Sequence, residues 1–136
     1  MFIDASAIVA ILTREPEADR LADVLEAAQW PITSPIAVFE AALGIYRKRQ
    51  SSVEEAARDV REFLGVAQAR VVSISEQEAD AALAAFARYG RGRGHPARLN
   101  LGDCFAYAMA ESHRVALLFK GDDFDKTDID AAIRFD

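Results

Sequence analysis

Four carboxylates stand among apolar residues where a core-building sequence does not need them. Asp4 ends the apolar start MFID, Glu40 interrupts IAVFEAALGI, Asp103 interrupts LNLGDCFAYAMA, and Asp122 follows VALLFK and a glycine. An ionised carboxylate in apolar company is costly unless something pairs with it. Each acid has a local explanation. Asp4 could cap a helix beginning at Ala5, and Glu40 could lie on the exposed stripe of its helix. Asp103 could close a capping box with Asn100, and Asp122 with Asp123 could be plain turn residues. Taken together they admit a different reading. Acids gathered at one point raise one another's pKa unless a cation neutralises them. Oxygen donors without His or Cys suit magnesium, with manganese as a substitute. Such an ion activates water and stabilises charge on a phosphate, with no side-chain nucleophile needed. Other candidates for chemistry are thin. His95 lies in a Gly/Arg-rich loop and His113 at a helix end, both read as surface residues, and Cys104 reads as a small core residue. No Ser/His/Asp triad and no phosphate-binding glycine loop is present.

The elements that must carry these acids alternate. MFID reads as a strand, ASAIVAIL as a short helix, and EPEADRLADVLEAAQ as a second helix with Leu21, Val24, Leu25 and Ala28 at helical spacing. WPITS is a short strand. Ser34 as N-cap and Pro35 at the first helical position start the helix SPIAVFEAALGIYRKRQ. Ser52 and Glu55 stand at capping-box spacing at the head of SVEEAARDVREFLGVAQ. RVVSI is a third strand and SEQEADAALAAFARYG a helix ending at Gly90; residues 90–98 read as one mobile loop. NLGDCFAYAMAESH is a helix, VALLFK a buried strand, GDDF a turn, and a final short strand lies around IRF. This order predicts a three-layer α/β/α sandwich with a mostly parallel sheet of about five strands, in one domain over residues 1–136. In such sheets ligands bind beyond the C-terminal strand ends. Asp4 and Asp122 end two strands, Asp103 lies in the first turn of a helix feeding that edge, and Glu40 lies in the second turn of another.

Bulk properties bound the function. The chain has 136 residues, 51% hydrophobic and 28% charged, which suits one soluble domain. No apolar run approaches the roughly 18–20 residues that cross a bilayer. The start lacks a basic leading segment and carries Asp4, so it is a poor secretory signal. One cysteine excludes an internal disulfide framework. A cytoplasmic protein with no membrane partner is expected. The net charge of −6 opposes nucleic-acid binding in bulk. It hides two basic patches, Arg47–Lys48–Arg49 and the stretch RYGRGRGHPAR with Arg88, Arg91, Arg93 and Arg98. Local patches decide contacts within a Debye length of about 8–10 Å. Both could equally be a solvated helix end and a solvated loop.

The segments FIDASAIVAIL, SPIAVFEAALGI, LNLGDCFAYAMA and LLFKGDDFDKTDI resemble, in that order and from end to end, the PIN-domain ribonuclease toxins, and more closely the VapC toxins of type II toxin–antitoxin operons. The resemblance implies a magnesium-dependent endoribonuclease whose metal-binding, catalytic acids fall on Asp4, Glu40, Asp103 and Asp122. Ser6 resembles a hydroxyl that orders the site. Asp123 is the uncertain neighbour of Asp122, and Asp128 matches a recurring position with a structural or peripheral role. RNA would be the substrate, with Arg47, Lys48, Arg49, Arg91 and Arg93 as candidate phosphate contacts. A VapB-type antitoxin would block the acidic cleft, and a homodimer or toxin–antitoxin hetero-oligomer is implied, with the helices around IAVFEAALGI and EEAARDVREFLGVA as candidate surfaces.

Two readings compete. A receiver-type signalling domain also has an acidic magnesium pocket, but it needs a phosphoacceptor Asp ending its third strand. RVVSISE offers Ser73 and Ser75 and no Asp there. A catalytically silent PIN-fold module acting through protein contacts remains the alternative.

Overall fold

Four short parallel strands form the centre of the molecule: β1 (Phe2–Ile3), β2 (Ile32–Thr33), β3 (Arg70–Val71) and β4 (Leu117–Leu118), in the spatial order β3-β2-β1-β4. The computed structural model describes residues 1–135. Parallel neighbours require crossovers, and six helices make them: α1 (Ala5–Leu12), α2 (Ala18–Glu26), α3 (Pro35–Arg49), α4 (Val53–Val66), α5 (Glu76–Tyr89) and α6 (Leu101–Ser112). Phe2 pairs with Ile32 on one side and Leu117 on the other, so β1 lies inside the sheet between β2 and β4, and β4 ends the four-strand order.

The two-residue alternation of a strand sends neighbouring side chains to opposite faces. Phe2, Ile32 and Leu117 pack with Ala82, Ala85 and Tyr89 of α5 and with Ala106, Tyr107 and Met109 of α6. Ile3 and Leu118 pack on the other side against Ile8 of α1, Leu21 and Leu25 of α2, Ile45 of α3 and Val60 of α4. These are the expected three layers. No helix among the described residues is long and apolar enough to cross a membrane.

Two expectations are corrected. The fifth strand shrinks to a single parallel bridge between Leu117 and Ala131. There Leu117 N–H donates to Asp130 O and Ala132 N–H to Leu117 O, both at 2.8 Å. Residues 133–135, where IRF stands, carry no strand, since the chain has left the ladder by then. The 90–98 stretch is tied down instead of loose. A bridge joins Gly90 to Leu99, the His95 ring meets Tyr89 edge-on at 4.8 Å, and His95 Nδ1 accepts from Ala97 N–H at 3.0 Å.

Candidate active site

Asp4 leaves β1 with its backbone fixed by Leu118 O, to which its N–H donates at 2.9 Å. It is the N-cap of α1, accepting on Oδ2 from Ser6 N–H at 3.0 Å and from Ser6 Oγ at 2.5 Å. Both bonds use one oxygen, so Oδ1 is not engaged by Ser6. The residue is only 5% exposed. Burial raises its pKa against the opposing hydrogen bonds from Ser6 and Ala5. Ser6 Oγ also accepts from Lys120 N–H at 3.0 Å, so one hydroxyl joins Asp4 to the chain leaving β4.

Asp103 performs the cap that its spacing suggested. Asn100 Oδ1 accepts from Asp103 N–H at 2.9 Å, and Asp103 Oδ2 accepts from Asn100 N–H at 3.1 Å, a full capping box at the start of α6. The cap orients the carboxylate without neutralising it. Burial, then the charges of Asp4 and Asp123, push its pKa up to about 6, against the Asn100 hydrogen bond and the Arg91 guanidinium. Glu40, in the second turn of α3, is pushed up to about 7 by burial and by the charges of Asp4 and Asp103.

Gly102 explains how Glu40 comes so close to α6. A Cβ on Gly102 would lie 1.9 Å from Glu40 Oε2 and 2.4 Å from Oε1, so the carboxylate occupies the space a side chain would need. Sequence reasoning passed over this residue, although a glycine beside an acid among apolar residues in the first turn of a helix was a usable signal. Asp4, Glu40 and Asp103 therefore lie within electrostatic reach of one another, delivered by β1, α3 and α6.

The turn after β4 begins at Gly121, whose φ of +113° suits glycine. Asp122 and Asp123 are both exposed, and of the two it is Asp123 whose charge raises Asp103. Asp122 uses its carbonyl to accept from Asp125 N–H at 3.2 Å, at the head of a short 3-10 helix, Phe124–Lys126. Phe124 anchors that helix against Phe119, ring to ring at 5.0 Å. Among the described residues no three His, Cys, Asp or Glu side chains close around one metal-sized point. The acids are gathered within reach of each other and not wrapped around a centre. Their donor set, carboxylate oxygens alone, with pKa values raised first by burial and at Glu40 and Asp103 also by neighbouring acids, nevertheless fits a hard divalent cation.

The remaining candidates separate. Asp128 accepts from Tyr107 Oη, one turn along α6 from Asp103, and pairs with Arg88 at 3.2 Å. Lys48 and Arg49 turn back onto the end of α1: Lys48 Nζ pairs with Glu15 at 3.2 Å, and Arg49 donates to Leu12 O and pairs with Asp59 at 3.4 Å. With Arg47 they end α3, about 10 Å beyond Glu40 at 1.5 Å per residue. Arg91 is different. Its N–H donates to Leu99 O at 2.9 Å, next to the α6 cap, and its charge is felt at Asp103. Arg93 Nε donates to Ala87 O at 3.4 Å. Cys104 is buried, its thiol pushed up to about 11 by burial and Asp103, which makes it a core residue and not a nucleophile.

The architecture and the sequence both have relatives. The PIN domain family model matches residues 1–130. The chain is 40% identical to a VapC ribonuclease of Rhizobium meliloti, over 94% of this chain and 98% of that one. It is 42% identical to ribonuclease VapC30 of Mycobacterium tuberculosis, over 95% of each. A solved toxin–antitoxin complex from Klebsiella pneumoniae contains a chain that superposes with a TM-score of 0.64, covering 90% of this chain and 88% of that one. At 19% identity that likeness concerns the fold alone. On its length of match and its identity to these relatives, the chain belongs to the PIN-domain family and, within it, to the VapC ribonucleases.

Proposed function

We propose that the protein is the toxin of a type II toxin–antitoxin pair, an endoribonuclease that hydrolyses RNA phosphodiester bonds with the help of magnesium. The observation that carries this reading is the meeting of Asp4, Glu40 and Asp103 from three elements at the C-terminal edge of the sheet, each with its pKa raised. The names of its VapC relatives point the same way. Asp4 and Asp103, each held by a cap, would be the fixed ligands of the cation. Glu40 and an acid of the Asp122–Asp123 turn would complete the set. Bound there, magnesium or manganese supplies the acidified water and the positive charge that phosphodiester hydrolysis requires. Glu40, its pKa raised without a cation by burial and by the charges of Asp4 and Asp103, would be relieved of that repulsion by a divalent ion. Arg91, whose charge is felt at Asp103, would meet a phosphate oxygen.

Partners follow from the same reading. A VapB-type antitoxin would cover the acids with a basic residue, in the cytoplasm where the RNA substrate is found. Phe39, Leu101, Leu83 and Phe86 are exposed on α3, α6 and α5, and Leu101 joins the apolar groove beside Glu40 to the one along α5. That face supports contact with an antitoxin or a second copy.

The test is RNA cleavage with added magnesium and after chelation. Asp4→Asn and Asp103→Asn should each abolish cleavage and growth arrest on expression. Full cleavage by either variant would refute the assignment. A silent interaction module would show no rise in Tm with magnesium or manganese.

A further inference from the structure

The turn that brings Asp123 toward Asp103 is held at both ends. It opens on a glycine, both acids are exposed, and Asp123 repels the carboxylate it approaches. Phe124 holds its far end, packed on Phe119. Its root is tied on two sides at Lys120. The Lys120 N–H donates to Ser6 Oγ, one hydroxyl from Asp4. The Lys120 side chain reaches the other way, donating from Nζ to Glu15 Oε1 at 2.7 Å.

Glu15 is itself well anchored. Its N–H donates to Ala10 O at 2.9 Å, and its other oxygen, Oε2, pairs with Lys48 Nζ at 3.2 Å. Lys48 Nζ also donates to Thr13 Oγ1 at 2.9 Å. The Glu15 side chain keeps only 16% of its surface exposed. Glu15 therefore ties the exit of β4 to the end of α1 and, through Lys48, to the end of α3. Glu17 adds negative charge facing Lys120, and its Oε2 is buried without a hydrogen-bond partner. The ammonium is thus turned toward two acids of the α1–α2 connection.

Resting on the proposed nuclease reading, we infer that Glu15 and Lys120 are positioning residues: their ion pair holds the root of the Gly121–Asp122–Asp123 turn at a set distance from Asp4, so that the acids of the turn and Asp4 can share one cation. Lys120 touches no reacting atom in this arrangement. The competing use of the same lysine, a direct contact to an RNA phosphate, predicts the opposite response to loss of Glu15. Removing the acid would free the ammonium for RNA and strengthen binding.

The experiment uses the full chain and a single-stranded RNA oligonucleotide, with magnesium varied in the cleavage assay. Manganese is varied in a parallel thermal-shift measurement. Glu15→Gln and Lys120→Met should each lower kcat roughly tenfold, short of the ~100-fold cost of a full ångström of misplacement. KM for RNA should hardly change, while the magnesium concentration for half-activity rises. The double variant should be no worse than either single one, because the two residues act as a unit. Lys120→Arg, which keeps the charge, should restore most of the rate. The manganese-induced gain in Tm, read against each variant's own metal-free Tm, should shrink in Glu15→Gln and Lys120→Met and return in Lys120→Arg. A lower KM in Glu15→Gln, or an unchanged metal response in both single variants, would overturn the inference. If the unmodified protein cleaves no RNA, the nuclease reading falls, and the manganese-dependent Tm of the same variants still decides whether the pair positions a cation site.

Discussion

At the scale of single residues, the position of Glu40 depends on a missing side chain. Among the described residues none donates a hydrogen bond to its carboxylate, and it rests against the bare backbone of Gly102. Gly102→Ala must therefore expel it. Alanine favours a helix over glycine by roughly 0.5–1 kcal/mol, so the variant should fold, with a metal-free Tm equal to or above the parent's. Cleavage should fall by about 10- to 100-fold, the range expected when a positioned group is displaced. Unaltered cleavage would mean that Glu40 works from elsewhere. The raised acids also set a pH dependence. A carboxylate whose folded pKa lies above its unfolded value binds more protons folded than unfolded. Its contribution is complete at low pH and lost as pH rises through the folded value. For Asp103 the loss runs from about 4 to about 6, and for Glu40 from about 4.5 to about 7. Without metal, Asp103→Asn and Glu40→Gln should gain stability relative to the parent between pH 5 and 8. After discounting for solvent screening each gain is on the order of 1 kcal/mol, a few degrees of Tm. Thermal melts in a chelating buffer at those two pH values check this. A constant difference across that range would show that neither burial nor the neighbouring acids raise these carboxylates.

Elements differ in how far they can be read from sequence. Helix starts were plain because capping is local chemistry. Ser34 accepts from Ala37 N–H, and Ser75 with Glu78 forms a full capping box. At Ser52 only half the box forms, the hydroxyl accepting from Glu55 N–H. Strand extents were overread, since an apolar run such as VALLFK marks burial while only Leu117–Leu118 join the ladder. The glycines of residues 90–98 suggest mobility, and the ties that restrain the segment come from Tyr89 and Leu99, partners that local spacing does not mark. The convergence of Asp4, Glu40 and Asp103 was legible from acids among apolar neighbours. Which of Asp122 and Asp123 faces Asp103 was not, because adjacent acids in a turn carry no signal of direction. Asp128 belongs to this scale also. It fastens the C-terminal segment to α5 and α6 through Arg88 and Tyr107, and those hydrogen bonds hold its pKa below the ordinary range. Asp128→Ala should cost about 1–2 kcal/mol, as for a charge-assisted hydrogen bond, while the rise in Tm on adding magnesium stays the same. Loss of the magnesium response would place Asp128 with the metal-binding acids instead.

Over the whole molecule, charge is the quantity that decides how RNA arrives. A net charge of −6 repels a polyanion, so on the proposed nuclease reading RNA binding would rest on a few cations near the scissile phosphate. The Arg47–Lys48–Arg49 patch is poorly suited to this: it ends α3 away from Glu40, and Lys48 and Arg49 already hold Glu15, Leu12 O and Asp59. The charge of Arg91 is felt at Asp103, and Arg93 shares its loop. Two or three phosphate contacts on a single strand imply a slope of log K against log salt of roughly −1.4 to −2, at about −0.7 per phosphate. The measurement is fluorescence anisotropy of a labelled RNA oligonucleotide between 50 and 200 mM salt, on the order of the range where such slopes are read. The magnesium concentration is held constant, and the non-cleaving Asp4→Asn protein is used so that the RNA stays intact. Adding Arg91→Ala should weaken binding and flatten the slope by about 0.7, one phosphate's worth. Adding Arg47→Ala should leave both unchanged. The reverse pattern, a steep slope sensitive to Arg47 and indifferent to Arg91, would draw the RNA along the far end of α3 and away from the carboxylates.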